Sequence, residues 1–206
     1  VDQLLLEVLN QQLIEYGSAL IHQRIKLLCL LYPNIVKTYQ QIDIKTPLSL
    51  VYVSKVFPHQ KIQLDGEKKL PSLDEIKKSF RSEIENRKKD EMIRRHTLVG
   101  PHRDDIEFLL LEKDAKTFGS QGQIRSITLA WKIAEVKVCE EILGIKPILL
   151  LDDVMSELDE NRRASLTHLV GEVAQTIITT ANIGYFTPEL LEKAKVINIE
   201  EALKHE

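Results

Sequence analysis

The chain has 206 residues, of which 43% are hydrophobic and 29% charged, with a formal net charge of −3. That length allows one sizeable domain or two small ones, and the balance is ordinary for a soluble globular protein. A net negative charge does not suggest nucleic acid, so any DNA contact needs a local basic patch. The two cysteines, Cys29 and Cys139, have no Cys or His at metal-ligand spacing, and they read as buried free thiols of a reducing cytosol. The apolar runs are too short to span a membrane, and a cytoplasmic location is expected. The chain opens at Val1 directly into a helical pattern, which reads as a missing N-terminal part rather than a signal peptide.

Residues 2–32 form a heptad pattern, with Leu6, Leu13, Leu20 and Leu27 in one seam position and Leu9, Tyr16, Gln23 and Leu30 in the other. Leu5, Ile14, Ile21, Ile25, Leu28 and Leu31 widen the apolar face, so a helix of a bundle or arm is expected, ended by Pro33. Alternation at Ile42, Ile44, Leu48, Leu50, Tyr52 and Val56 predicts two short strands around Pro47, and Asp65-Gly66 a turn. Ser72 as N-cap with Glu75 three residues on opens a second helix over 73–95. From Glu67 to Arg103 there are eleven Lys or Arg against seven Asp or Glu, a local net of +4. Spacings of three and four place Lys77, Arg81 and Lys88 roughly on one side, with Lys78 beside them. Lys77, Lys78 and Arg81 are therefore candidates for phosphate contacts, although most such runs are solvated faces.

The second half has another rhythm. A strand at 106–111 and a charged turn precede Ser120-Gln121-Gly122-Gln123, which opens a helix over 124–143 closed by Gly144. A fully apolar strand at 148–151 ends in Asp152-Asp153; a helix at 160–170, a strand at 175–180 and a last strand at 196–199 follow. Apolar strands alternating with helices predict an α/β fold with a buried parallel sheet. Two carboxylates at the C-terminal edge of such a sheet lie where ligands bind. One can hold Mg²⁺ on a nucleotide, and the next can orient or deprotonate a water. The same Asp can instead cap a helix. The helix start at Ser120 offers free N–H groups and a positive dipole end to a phosphate, or is simply a Ser N-cap.

The order of these pieces, with Ser156-Glu157-Leu158-Asp159 after the paired aspartates, is similar to the second lobe of ATP-binding-cassette ATPases. The run Thr97-Leu98-Val99-Gly100-Pro101-His102-Arg103-Asp104-Asp105, just before the strand and the helix start, resembles the RecF family more specifically. So do Val1-Asp2-Gln3-Leu4 at the head of the first helix, the Asp-Asp strand ending and Ser-Glu-Leu-Asp. The resemblance implies a helical arm with short strands over 1–95 and part of an ATPase head over 96–206. It implies that Ser120, Gln121, Gly122 and Gln123 form a signature motif meeting ATP in trans. Asp152 would serve the Mg²⁺ of that nucleotide, Asp153 would be the base, and Ser156 and Asp159 would belong to a D-loop. Thr180 and Asn182 would stand in the switch region, where the usual histidine is missing. The implied cofactors are ATP and Mg²⁺. The implied partners are double-stranded, gapped and single-stranded DNA, RecR with RecO, and a second copy of the chain in an ATP-dependent homodimer. Recombinational repair, replication-gap processing and the SOS response would be the setting. None of the eight glycines begins a Gly-x-x-x-x-Gly-Lys-[Ser/Thr] run, so these residues alone are expected to be inactive. A structural clamp head of the SMC kind and a non-catalytic interaction module are the alternatives.

Overall fold

The computed structural model describes residues 3–66, 69–173 and 175–199. Val1, Asp2, Glu67 and Lys68, which the sequence reading used, lie outside the described residues. The chain divides into two compact units: Val1–Val36 with Thr46–Gly119, and Lys37–Lys45 with Ser120–Glu206.

Helix α1 runs over Gln3–Ile42 with Pro33 inside it, so the expectation that Pro33 ends the helix is corrected. A proline in a helix interior costs about 3 kcal/mol. Downstream of it Ile35, Tyr39 and Ile42 are all buried, each worth roughly 1.5–3 kcal/mol, and together they outweigh the break. The seam is corrected as well. Ile14, Ile21, Leu28, Ile35 and Ile42, seven residues apart, are buried, while Leu20, Leu27 and Leu30 are about half exposed and Tyr16 is 73% exposed. Two series of period seven overlap on this helix, and the pattern does not say which one faces the core.

In the first unit α1 is held against helix α2 (Leu73–Arg94), where Lys77 donates to Glu15 at 2.7 Å. Gly17 permits the close approach, since a Cβ there would lie 2.7 Å from the fully buried Phe80 ring and 3.3 Å from Pro101. Gly17→Ala gains helix propensity of about 1 kcal/mol but overpacks by about 1–3 kcal/mol. A net loss of stability is expected, seen as a lowered Tm; a raised Tm would mean that the ring gives way freely. The predicted capping box opens α2: Ser72 Oγ accepts from Glu75 N, while Ser72 N and then Ser72 Oγ donate to the Glu75 carboxylate and hold it below its usual pKa.

Strand β1 (Leu48–Val53) lies between β2 (Ile62–Gln63) and β3 (Asp105–Leu110), and β4 (Lys113–Asp114) completes an antiparallel sheet of order β2-β1-β3-β4. The strand expected before Pro47 does not form, because Ile42 closes α1 and Ile44 is exposed. The Gly-Pro-His-Arg-Asp-Asp run makes a one-turn 3-10 helix at Pro101–Arg103. Arg24 of α1 donates to Pro101 O at 2.8 Å, and Tyr52 of β1 donates to the buried carboxylate of Asp104. Burial, and then that carboxylate, push the Tyr52 hydroxyl well above its ordinary pKa. A short helix α3 (Ala115–Phe118), capped by Asp114, ends the unit.

In the second unit α4 (Gln121–Leu143) ends at Gly144, whose φ of +65° is the left-handed conformation of a C-cap. Strands β5 (Leu149–Asp152) and β6 (Thr176–Thr179) pair in parallel, with Asp152 opposite Thr179 and α5 (Glu160–Val173) between them in the chain. Leu149 and Leu151 join Leu129, Ile133 and Leu166 in the core, while Leu150 and Ile177 are exposed. The sheet expected to be buried is thus covered on one face only among the described residues. The last predicted strand is absent: 195–198 have no regular structure, and Val196, Ile197 and Ile199 are exposed. A short helix α6 (Pro188–Lys193) precedes them. Among the described residues no helix is long and apolar enough to cross a membrane.

Candidate active site

Of the sequence-predicted residues, the second unit brings Asp152, Asp153 and Ser156 together at the C-terminal edge of β5. Asp152 is the last residue of that strand, and its Oδ1 accepts from the Thr179 hydroxyl on β6. Asp153 follows in the left-handed region at φ +44°. Its N–H lies 3.2 Å from both Thr179 O and Thr179 Oγ1. Thr179 therefore touches both aspartates. The switch-region assignment named Thr180 and Asn182, not Thr179.

Left-handed backbone is uncommon outside glycine, and Asp and Asn are the side chains enriched there. The fold thus has a physical preference for the shorter acid at 153. The Ser156 hydroxyl lies 3.0 Å from both Asp153 O and Asp153 Oδ2, which turns this serine toward the carboxylate. Asp159 caps α5: its Oδ1 accepts from Arg162 N at 3.0 Å and its Oδ2 from Arg162 Nη1 at 2.7 Å. The bond from that backbone N–H and the charge of Arg162 hold Asp159 below its usual pKa. Its contribution is therefore complete above the ordinary carboxylate range and fades as pH falls through the lowered value.

At the start of α4, Ser120 and Gln123 form a capping box, with Gln123 N donating to Ser120 Oγ at 3.2 Å and Ser120 N to Gln123 Oε1 at 2.9 Å. The Ser120 hydroxyl is exposed while it does so, as is Gln121. Gly122 lies under a guanidinium, since a Cβ there would be 2.7 Å from Arg162 Nη1. Arg125, one turn on, is paired with Glu157 at 2.6 Å, so the first turn of α4 is bridged to the segment at 156–159. Thr180 and Asn182 are engaged locally: Asn182 N donates to Thr180 Oγ1 at 3.1 Å, and Asn182 Oδ1 accepts from Gly184 N at 2.9 Å.

Asp152 Oδ2 and Asp153 Oδ1 take no hydrogen bond from a described residue, and both side chains are exposed. Hard oxygen donors at a strand end suit Mg²⁺, which is usually held by one or two carboxylates together with substrate phosphates. Among the described residues no group of three or more His, Cys, Asp or Glu could hold a metal by itself. In the first unit, Lys77 is tied to Glu15, whereas Lys78 and Arg81 are exposed and in no ion pair among the described residues.

No family model matches the chain. Curated relatives do. The chain is 36% identical to the DNA replication and repair protein RecF of an Exiguobacterium species over 202 residues, which is 97% of this chain and 52% of that protein. It is 40% identical to that of Streptococcus gordonii over 186 residues, 89% of this chain and 47% of the relative. Two solved structures of the recombination mediator protein RecF in the RecFOR pathway are similar, each matched over 89% of this chain. RecF-ATPrS has a TM-score of 0.71 at 32% identity, with 47% of that chain covered. RecF-ATP has a TM-score of 0.70 at 31% identity, with 46% covered. The expected α/β cassette fold with a parallel sheet and a helical region stands. The chain spans about half the length of the curated relatives it matches, and along nearly all of its own length it is similar to the RecF proteins.

Proposed function

We propose that this chain supplies the signature, Walker B and D-loop elements of a RecF-type ATPase that closes as a dimer on DNA. The setting would be recombinational repair and replication-gap processing. The carrying observation is the convergence of Asp152, Asp153, Thr179 and Ser156 at one strand end, in the same unit as the capped start of α4. In this reading residues 1–95 are the arm and 96–206 part of the head. That functional division differs from the compact units, because β3 pairs with β1. The bare apolar face of β5 and β6 supports a larger sheet in the complete protein, since parallel sheets are normally covered on both faces.

Asp153 would take a proton from the attacking water while the Ser156 hydroxyl holds its other oxygen. Asp152, steadied by Thr179, would face the Mg²⁺ that accompanies ATP and stabilises phosphate charge. The N–H groups of Gln121 and Gly122 and the Ser120 hydroxyl, with Gln123 holding the turn as its capping partner, would meet the γ-phosphate of ATP bound to the second copy. Without a phosphate-cradling loop, the 206 residues alone should not turn over ATP; substantial Mg²⁺-dependent turnover by them would contradict this reading.

Ser120→Arg tests the trans assignment. The change removes an N-cap worth about 1 kcal/mol, too little to unfold the protein, and places a long side chain where the second copy approaches. In the full-length protein it should spare nucleotide binding by the monomer and abolish the ATP-dependent shift to dimer mass in light scattering. An intact shift would remove Ser120 from the interface. RecR with RecO, double-stranded and gapped or single-stranded DNA, a cytoplasmic location and the SOS response belong to the same proposal. The exposed Lys78 and Arg81, and Lys77 if it leaves Glu15, would touch phosphates without reading bases.

A further inference from the structure

Arg162 lies outside every motif named above, yet its guanidinium meets two of the proposed functional elements and the end of α1. Nη1 donates to Asp159 Oδ2 of the D-loop at 2.7 Å, and Nη2 donates to Asp43 Oδ2 at 2.7 Å. The same Nη1 occupies the space that a Cβ on Gly122 would enter, 2.7 Å away. Asp43 follows the last residue of α1 and is nearly buried, with its N–H bonded to Tyr39 O at 2.8 Å. A carboxylate at the negative end of a helix is unfavourable unless a cation neutralises it, and Arg162 is that cation. A planar fork can bridge two carboxylates at once; a lysine ammonium lacks that geometry.

We propose that Arg162 is a positioning residue for the ATPase reaction. It clamps the signature turn and the D-loop to the end of α1, and Gly122 is glycine because the guanidinium needs its place. The assignment rests on the RecF-type reading but does not require Arg162 to touch phosphate: both of its nitrogen termini are engaged by carboxylates. The clamp sets the direction of the N–H groups at the start of α4 relative to Asp153 and Ser156. Misplacement of such groups by about 1 Å costs on the order of 100-fold in rate.

The experiment uses the full-length protein with Arg162→Gln, Arg162→Lys, Asp43→Asn, Gly122→Ala, and the Gly122→Ala/Arg162→Gln double variant. Amide hydrogen exchange is followed without nucleotide over 120–126 and 153–162, and kcat and KM are measured with ATP. Arg162→Gln should speed exchange in both segments together and lower kcat by about 10- to 100-fold with KM unchanged. Asp43→Asn should act in the same direction, and Arg162→Lys should rescue only in part. The double variant should be no worse than Arg162→Gln, because the shorter side chain leaves room for the added methyl. Multiplicative loss in the double variant, unchanged exchange in Arg162→Gln, or a raised KM with intact kcat would each overturn the clamp. Absence of turnover in the unaltered protein would instead count against the proposed function, and the exchange measurements would still decide the clamp.

Discussion

Asp153→Asn in the full-length protein should bind ATP as before and hydrolyse it about 10²- to 10⁴-fold more slowly. The substitution is nearly isosteric. It also suits the backbone, because the residue sits at φ +44° and Asn is among the few side chains that tolerate this region. The Ser156 hydroxyl keeps an oxygen acceptor 3.0 Å away, so the D-loop has no reason to move. In the proposed mechanism only the proton-accepting function is removed. The ATP-bound dimer should then persist, with kcat falling and nucleotide affinity holding. A kcat equal to that of the unaltered protein would move the base to another residue.

The second large effect concerns stability. Phe80→Ala should destabilise the first unit by about 3–5 kcal/mol, as large-to-small changes of buried aromatic residues do. The ring is fully buried and lies against Gly17 of α1; it would also touch a Cβ at Gly100, in the family-specific turn. Its removal leaves a cavity bordered by a helix and a tight turn, neither of which can collapse easily. Thermal unfolding should shift by on the order of 10 °C or more. Met92→Ala at an exposed position of the same helix should change stability by no more than about 0.5 kcal/mol. A Phe80→Ala variant as stable as Met92→Ala would show that the ring does not carry the packing described.

Local signals were legible where one short segment determines the outcome. Ser72 with Glu75, and Gly144, mark two helix ends correctly, and Ser120 caps a helix that begins at Gln121 rather than 124, since caps are made by residues within one turn. The paired aspartates at the end of β5 and their parallel neighbour also follow from the apolar runs. Long-range burial was not legible. The phase of α1 depends on what packs against it, and its two overlapping heptad series are equivalent without that knowledge. The persistence of α1 through Pro33 depends on the burial of Ile35, Tyr39 and Ile42 by elements distant in sequence. In the site, Thr179 is a residue on a neighbouring strand, visible only once the register aligns it with Asp152. The Arg162 and Asp43 pair is separated by 119 positions, with no spacing rule to connect them. Of the predicted basic trio, Lys77 lost its freedom to Glu15, which only the pairing of α1 with α2 reveals.

The left-handed backbone at Asp153 also has a genetic consequence. Side chains branched at Cβ are strained there, and glycine relieves the backbone but offers no base, so few replacements can both fold and work. On the proposed role of Asp153, Asn folds without working. Where two copies share their sites in trans, an Asn allele would seed mixed dimers that close on ATP and fail to reopen. It should therefore behave as dominant over the normal allele in a merodiploid cell, whereas an allele that unfolds the protein, such as Phe80→Ala, should be recessive.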